Sequence, residues 1–234
     1  MKITLVVPTL NEIEGMKEIM PKVNPEWVDQ ILVVDGQSTD GTVEYAREQG
    51  YDVVIQEKMG MRHAYMECLP HIKGDVILTF SPDGNSIPEL IPEAIKKYKE
   101  GYDMVIVSRY ADGAKSYDDT PVTAFGNWLF STTISLLHGH RYADAMVIYR
   151  IYRKNLIQEL DLDKDSSYEF EERLFRTVVS WEPLLSIRAA KRNLKIAEIP
   201  GDEPAREGGV AKLQVMKWGA AYMWQNFREV FVWK

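Results

Sequence analysis

The chain reads as an α/β protein with a mostly parallel, Rossmann-like central sheet flanked by helices. Three observations predict this. Short β-leaning runs at residues 2–8, 31–34 and 53–55 alternate with helical stretches at 9–20 and 42–49, which is the pattern of right-handed crossovers between parallel strands. A fourth apolar run, residues 76–80, is bounded by turn residues on both sides. Polar turns follow the first, second and fourth runs and carry Asn11, Asp35 and Asp83. On parallel strands such turns share one edge, where α/β sheets gather their ligands.

Each element has a local reason. Met1-Lys2 leads straight into the first strand, with no signal-peptide pattern. Residues 58–64 form a loop-to-helix junction holding Lys58, Gly60 and Arg62; it suits an anion, and equally a solvated helix start. After the fourth strand, Ser81-Pro82-Asp83-Gly84-Asn85 is an ordinary turn in composition, yet it delivers a carboxylate to a strand end. Glu89 to Glu100 spaces its apolar residues as an amphipathic helix. Residues 104–107 form a strand ending at Ser108-Arg109-Tyr110, and 111–123 lack periodicity and read as a loop. Residues 124–137 have helical spacing, which His138-Gly139-His140 breaks. Two histidines two apart share no helix face and have no third ligand nearby, which argues against zinc. Helices are expected at 168–179 and 183–192 and a last strand at 195–200, before a glycine-containing loop at 201–209. The tail, residues 213–234, is an amphipathic helix rich in tryptophan, suited to packing on its own domain or a twin subunit, or to lying on a membrane surface.

Composition bounds the function. With 234 residues, one sizeable core is expected, divided here as a domain over 1–212 and the tail helix over 213–234. A net charge of −7 argues against nucleic acid as a partner. No run is long and apolar enough for a membrane span, and the single cysteine, Cys68, fits a buried thiol in a reducing, cytoplasmic setting.

The motifs VPTLNE (7–12), VVDGQSTDGT (33–42), GDVILTFSPDGNSIPE (74–89), VSRY (107–110), DAMVIYR (144–150) and EIPGDEPAREGGVAK (198–212) stand in one order. In that order the chain resembles family 2 glycosyltransferases of the GT-A fold, in particular the branch of polyprenyl- and dolichyl-phosphate sugar synthases. The resemblance implies an inverting transfer of a hexose from a UDP- or GDP-sugar to a lipid-phosphate or saccharide acceptor. It implies roles for Pro8, Leu10, Asn11, Glu12, Asp35, Gln37 and Ser38 in holding the nucleotide, and for Asp83, with Asn85, in holding Mg²⁺ or Mn²⁺ on the diphosphate. Arg62 and Arg109 are candidate phosphate-binding cations. Arg206, as a catalytic cation, and Lys212 are candidates to close over a phosphate, although a basic surface loop explains them too. Glu182 and Asp144 compete for the role of base, which a hydroxyl acceptor needs and an ionised phosphate does not. Either carboxylate also suits a helix cap or an ion pair.

Two departures bear on this. Ser81 stands where the family's metal motif has its first aspartate, and Gly36 where its nucleotide loop has a second. They motivate an alternative, a catalytically inactive nucleotide-sugar binding or scaffold protein. A sugar-nucleotide pyrophosphorylase lacks support, because the expected Gly-rich, basic N-terminal loop is missing. The resembled branch and the aromatic tail suggest a peripheral position on the inner membrane face, or a homodimer through the tail.

Overall fold

The computed structural model describes residues 1–205 and 215–233. The chain begins β1 (Ile3–Thr9), α1 (Ile13–Ile19), β2 (Gln30–Asp35), α2 (Thr42–Glu48), β3 (Asp52–Ile55), α3 (Met61–Cys68) and β4 (Val76–Thr79). It continues α4 (Ile91–Tyr98), β5 (Met104–Ser108), α5 (Pro121–His138), β6 (Arg150–Arg153), α6 (Leu156–Glu159), α7 (Glu169–Phe175), α8 (Glu182–Lys191), β7 (Ile196–Pro200) and α9 (Val215–Phe231).

The strands form one sheet in the order β3-β2-β1-β4-β6-β5-β7. All pairs are parallel except those of β6, which runs antiparallel to β4 and β5. Side chains alternate faces along a strand, and the two cores follow that period. Val6, Ile77, Met104 and Ile106 join one core with α3, α8 and α9, while Leu5, Val7, Leu78, Val105 and Val107 join the other with α1 and α4. Both faces are covered, which is why the strands read as unbroken apolar runs.

Three expectations need correction. β6 is a strand that the sequence does not signal, since Arg150–Arg153 is only four residues with charged ends and needs its antiparallel neighbours β4 and β5 to define it. α5 starts at Pro121, three residues earlier than its apolar spacing implies, because Thr120 accepts from the Thr123 amide and proline occupies the first turn. α7 stops at Phe175 rather than running to 179, ended by Arg176 in the left-handed region at φ 49°.

α9 packs against α5, α7 and α8, with Ala221 and Tyr222 inside the larger core. Cys68 is buried and unbridged, and burial pushes its thiol up to about 12.

Candidate nucleotide and metal site

β1, β2 and β4 lie side by side and parallel, so their carboxyl-terminal turns meet on one rim. At its centre is Asp35, the last residue of β2, level with Thr9 on β1 and fully buried. Its Oδ1 accepts from the Ser38 amide at 2.7 Å. Its Oδ2 accepts from Thr9 Oγ1 at 2.9 Å and Ser38 Oγ at 2.6 Å. Every one of these donors is neutral, so among the described residues the carboxylate is oriented without a countercharge.

The β1–α1 turn is tied to the same loop. The Asn11 amide donates to Ser38 Oγ at 2.7 Å, the Thr39 amide to Asn11 Oδ1 at 2.9 Å, and the Glu12 amide to Thr42 Oγ1 at 3.0 Å. Asn11 and Gln37 both take positive φ, 51° and 66°, which asparagine tolerates and which strains glutamine slightly. Gln37 Nε2 offsets this by donating to the carbonyls of Gln56 and Glu57 at the end of β3. At position 36 a Cβ would lie 3.3 Å from the Thr9 carbonyl oxygen and 3.4 Å from Leu10 Cβ. Glycine therefore lets the two turns close up. Hydrogen bonds thus join Asn11, Asp35 and Ser38 directly and tie Glu12 to Thr42 of the same loop, with Pro8 and Leu10 on the β1–α1 segment and Gln37 just after Asp35 in the chain.

Asp83 sits in the turn after β4 and is largely buried, with its Oδ1 accepting from the Asn85 amide at 3.2 Å. Its backbone is pinned against α1, where a Cβ on Gly15 would stand 2.3 Å from the Pro82 carbonyl oxygen and 3.2 Å from Asp83 Cα. Glycine at 15 lets the turn after β4 pack directly on α1. Asn85 Nδ2 donates to Asp118 at 2.9 Å, and Asn85 Oδ1 is buried without a hydrogen-bond partner. These are hard oxygen donors. Among the described residues no three His, Cys, Asp or Glu side chains form a metal-binding group. The donors present fit a magnesium-like cation that takes most of its ligands from substrate phosphates and water.

A second polar cluster lies along β5 and β7. Arg109, just past β5, grips Asp144 through Nε at 2.6 Å and Nη2 at 3.0 Å, and reaches Glu203 through Nη1 at 3.3 Å. Burial would raise the Asp144 carboxyl, but the Arg109 guanidinium, helped by Arg150, holds it below its usual value. Burial opposes the Arg109 charge as well, and the Asp144 and Glu203 carboxylates more than restore it. Glu198 accepts from the amides of Ala143 and Asp144 at 2.8 Å each, fixing the Asp144 backbone. Burial raises both Glu198 and Glu203.

Glu182 opens α8 in the core. It accepts from Tyr65 at 2.5 Å and from Ser180, beneath the Tyr65–Trp181 ring stack. Arg150 ties the two regions together, donating to the Glu182 carbonyl, Ser186 Oγ and the Ala145 carbonyl. Arg62 is buried at the start of α3 and pairs with Glu172 and Asp165, away from Asp83's partners. Its guanidinium also lies over the Tyr168 ring, 4.8 Å from the centroid. Arg206 and Lys212 lie outside the described residues. Glu198, Glu203 and Arg150 lie within the sequence motifs but carry no local signal of their own; only tertiary contact shows what they hold.

A parallel sheet whose acidic turns converge on its carboxyl edge defines the class of α/β proteins that hold nucleotides and phosphates there. The glycosyl transferase family 2 model matches residues 4–161, more than half of the chain, and the protein belongs to that family. It is therefore a family 2 glycosyltransferase. Among similar proteins is glycosyltransferase AglJ of Haloferax volcanii, 26% identical over 92% of this chain and 71% of its own length. The undecaprenyl-phosphate mannosyltransferase of Micrococcus luteus is 26% identical over 97% of this chain and 98% of its own. An undecaprenyl-phosphate 4-deoxy-4-formamido-L-arabinose transferase of an Enterobacter species is 28% identical, and this chain spans 64% of its length. In fold the chain matches glucosyl-3-phosphoglycerate synthase of Mycobacterium tuberculosis, solved with Mn²⁺, UDP and phosphoglyceric acid. That match has a TM-score of 0.65 at 18% identity, covering 100% of this chain and 80% of the other, and supports the GT-A architecture.

Proposed function

We propose that this protein transfers a hexose, with inversion, from a UDP- or GDP-sugar to a lipid-phosphate acceptor at the inner membrane face. The observation that carries the reading is the joined rim, where Asp35 and Asp83 stand at the ends of β2 and β4 on either side of β1. Asp35 is oriented to accept from a donor on the nucleotide base, and the Pro8–Glu12 turn supports base and ribose. Asp83, with Asn85, holds Mg²⁺ or Mn²⁺ at the diphosphate; the bound ion supplies Lewis-acid stabilisation of the leaving group.

The acceptor oxygen attacks the anomeric carbon opposite the diphosphate, and the breaking C–O bond leaves its electron pair on the nucleoside diphosphate. Both candidate bases are committed, Asp144 to Arg109 and Glu182 to Tyr65 and Ser180. This favours an acceptor that needs no base, a phosphate monoester already ionised near neutral pH. On this reading Asp144 and Glu182 position neighbours, and Arg109 aligns the phosphate by charge-assisted hydrogen bonds. The relatives named for undecaprenyl phosphate fit that acceptor class.

Incubation with labelled UDP- and GDP-hexoses, Mn²⁺ and either undecaprenyl phosphate or oligosaccharides tests the proposal. Label should move into the lipid phosphate from one nucleotide series. Transfer to saccharides alone would refute the acceptor, and nucleotide-sugar binding without turnover across the panel would favour the scaffold alternative.

A further inference from the structure

The turn Ser81-Pro82-Asp83-Gly84-Asn85 carries a single carboxylate, Asp83, so a cation held there draws on a neutral oxygen as well. Asn85 supplies the candidate. Its side chain ends in an oxygen and an NH₂ group on the same carbon, alike in size and opposite in what they offer, since the oxygen can ligate a cation and the NH₂ group only donates. Which end is presented therefore decides whether Asn85 helps or hinders. The Asn85 backbone amide already donates to Asp83 Oδ1 at 3.2 Å. That bond ties the main chain to the carboxylate and leaves the plane of the side-chain amide to be set by another contact.

Asp118 sets it. Its Oδ2 accepts from Asn85 Nδ2 at 2.9 Å, and Asn85 Oδ1 is buried with no hydrogen-bond partner among the described residues. An ionised carboxylate accepts and cannot donate, so turning the amide over would set Oδ1 against a carboxylate oxygen with no proton between them. A bond to a charged acceptor is also stronger than one between neutral groups. Asp118 is itself held from both sides. Before it, the Tyr117 amide donates to the Glu203 carbonyl at 2.8 Å and the Glu203 amide to the Lys115 carbonyl at 2.9 Å. Ser116 Oγ donates to the Glu203 side chain and accepts from the Asp119 amide at 3.1 Å. After it, Thr120 caps α5 by accepting from the Thr123 amide. The loop carrying Asp118 is thus fastened to the segment after β7 and to the start of α5.

We infer that Asp118 is a positioning residue for the metal site: it holds the Asn85 side chain so that Oδ1, not Nδ2, is offered to the Mg²⁺ or Mn²⁺ at the Asp83 turn. This deepens the proposed reaction, on which it rests. It also links two regions through one loop, because Ser116 bonds the same Glu203 that Arg109 reaches, while Asp118, two residues on, orients Asn85.

Calorimetric titration of Mn²⁺ into protein saturated with UDP or GDP reads this without catalysis. Asp118→Ala should weaken Mn²⁺ binding about tenfold or more, the size of effect seen when a group that orients a metal ligand is lost. Asp118→Asn should lose much less, because an asparagine oxygen still accepts from Asn85 Nδ2. In an Asn85→Asp background both ends of the side chain are oxygens, so adding Asp118→Ala should cause no weakening. Asp118→Ala should keep the wild-type melting temperature without ligands, since Asp118 is exposed. Equal Mn²⁺ affinity in Asp118→Ala and wild type would overturn the inference. A loss in Asp118→Asn as large as in Asp118→Ala would overturn it by assigning the effect to charge, and an equal loss in both backgrounds by assigning it to the loop. A wild type that binds no Mn²⁺ with either nucleotide would overturn the proposed reaction along with it.

Discussion

Two buried aspartates on the same rim are treated in opposite ways. Among the described residues Asp35 accepts hydrogen bonds from two hydroxyls and an amide and pairs with no cation. Asp144 is clasped by a guanidinium at two points, so its charge is spent inside the protein. The difference separates a carboxylate available to a ligand from one that holds a cation in place.

Breaking the second arrangement should have the largest effect. Asp144→Ala strands Arg109 beside Glu203 alone, and removal of one partner from a buried pair costs about 3–5 kcal/mol. Urea denaturation should show a loss of that order, a similar one for Arg109→Ala, and a double mutant well short of their sum. Additive losses would show that the pair is not coupled.

Gly15→Ala comes next. The added methyl would meet the Pro82 carbonyl 2.3 Å away, so the Asp83 turn must move. Stability should fall by about 1–3 kcal/mol, and Mn²⁺ affinity measured by calorimetry with UDP or GDP present should fall with it. Unchanged metal affinity would separate the turn from the site.

Acid sharpens the contrast. Asp144, and Glu229 in its Arg188–Arg228 clasp, have folded values below the ordinary 3.8 and 4.5. Their contribution is complete above those ordinary values and is lost as pH falls through the depressed folded ones. Glu198 and Glu203 are raised above 4.5 by burial, so the folded state takes up their protons first and they favour folding as pH falls toward 4.5. Melting temperature should therefore hold or rise on mild acidification and then drop below about pH 4. Asp144→Asn should flatten the acid limb, whereas a limb as steep as wild type would exclude Asp144 as a source.

The smallest change is expected at the first aspartate. Thr9→Val removes one of three neutral donors to Asp35 and should cost about 1 kcal/mol, with a modest loss of nucleotide affinity by calorimetry. A loss as large as that of Asp144→Ala would erase the distinction between the two carboxylates.

The rim around Asp35 was legible in the sequence because each piece is local. An apolar run ends, a polar turn follows, and parallel order brings the turns together. The Arg109 cluster was legible only as separate motifs, since its members come from residues 109, 144, 198 and 203 and meet through β6, whose antiparallel insertion has no periodic signature. Glu182 was visible as a carboxylate before a proline, but its burial against Tyr65, 117 positions away in sequence, is a product of packing. Amphipathicity identified α9 correctly as a helix and left its facing open. Its facing is set by the Arg188–Glu229 and Arg228–Glu171 ion pairs together with the packing of Ala221 and Tyr222 into the core.

The central claim is that the turn bearing Asp83 gathers a cation and a diphosphate next to the loop bearing Asp35. The most direct measurement is the melting temperature of wild type and Asp83→Ala with UDP or GDP, each with and without Mn²⁺. One nucleotide should raise the wild-type midpoint with Mn²⁺ present, and Asp83→Ala should abolish that rise. An equal rise in the variant would contradict the claim.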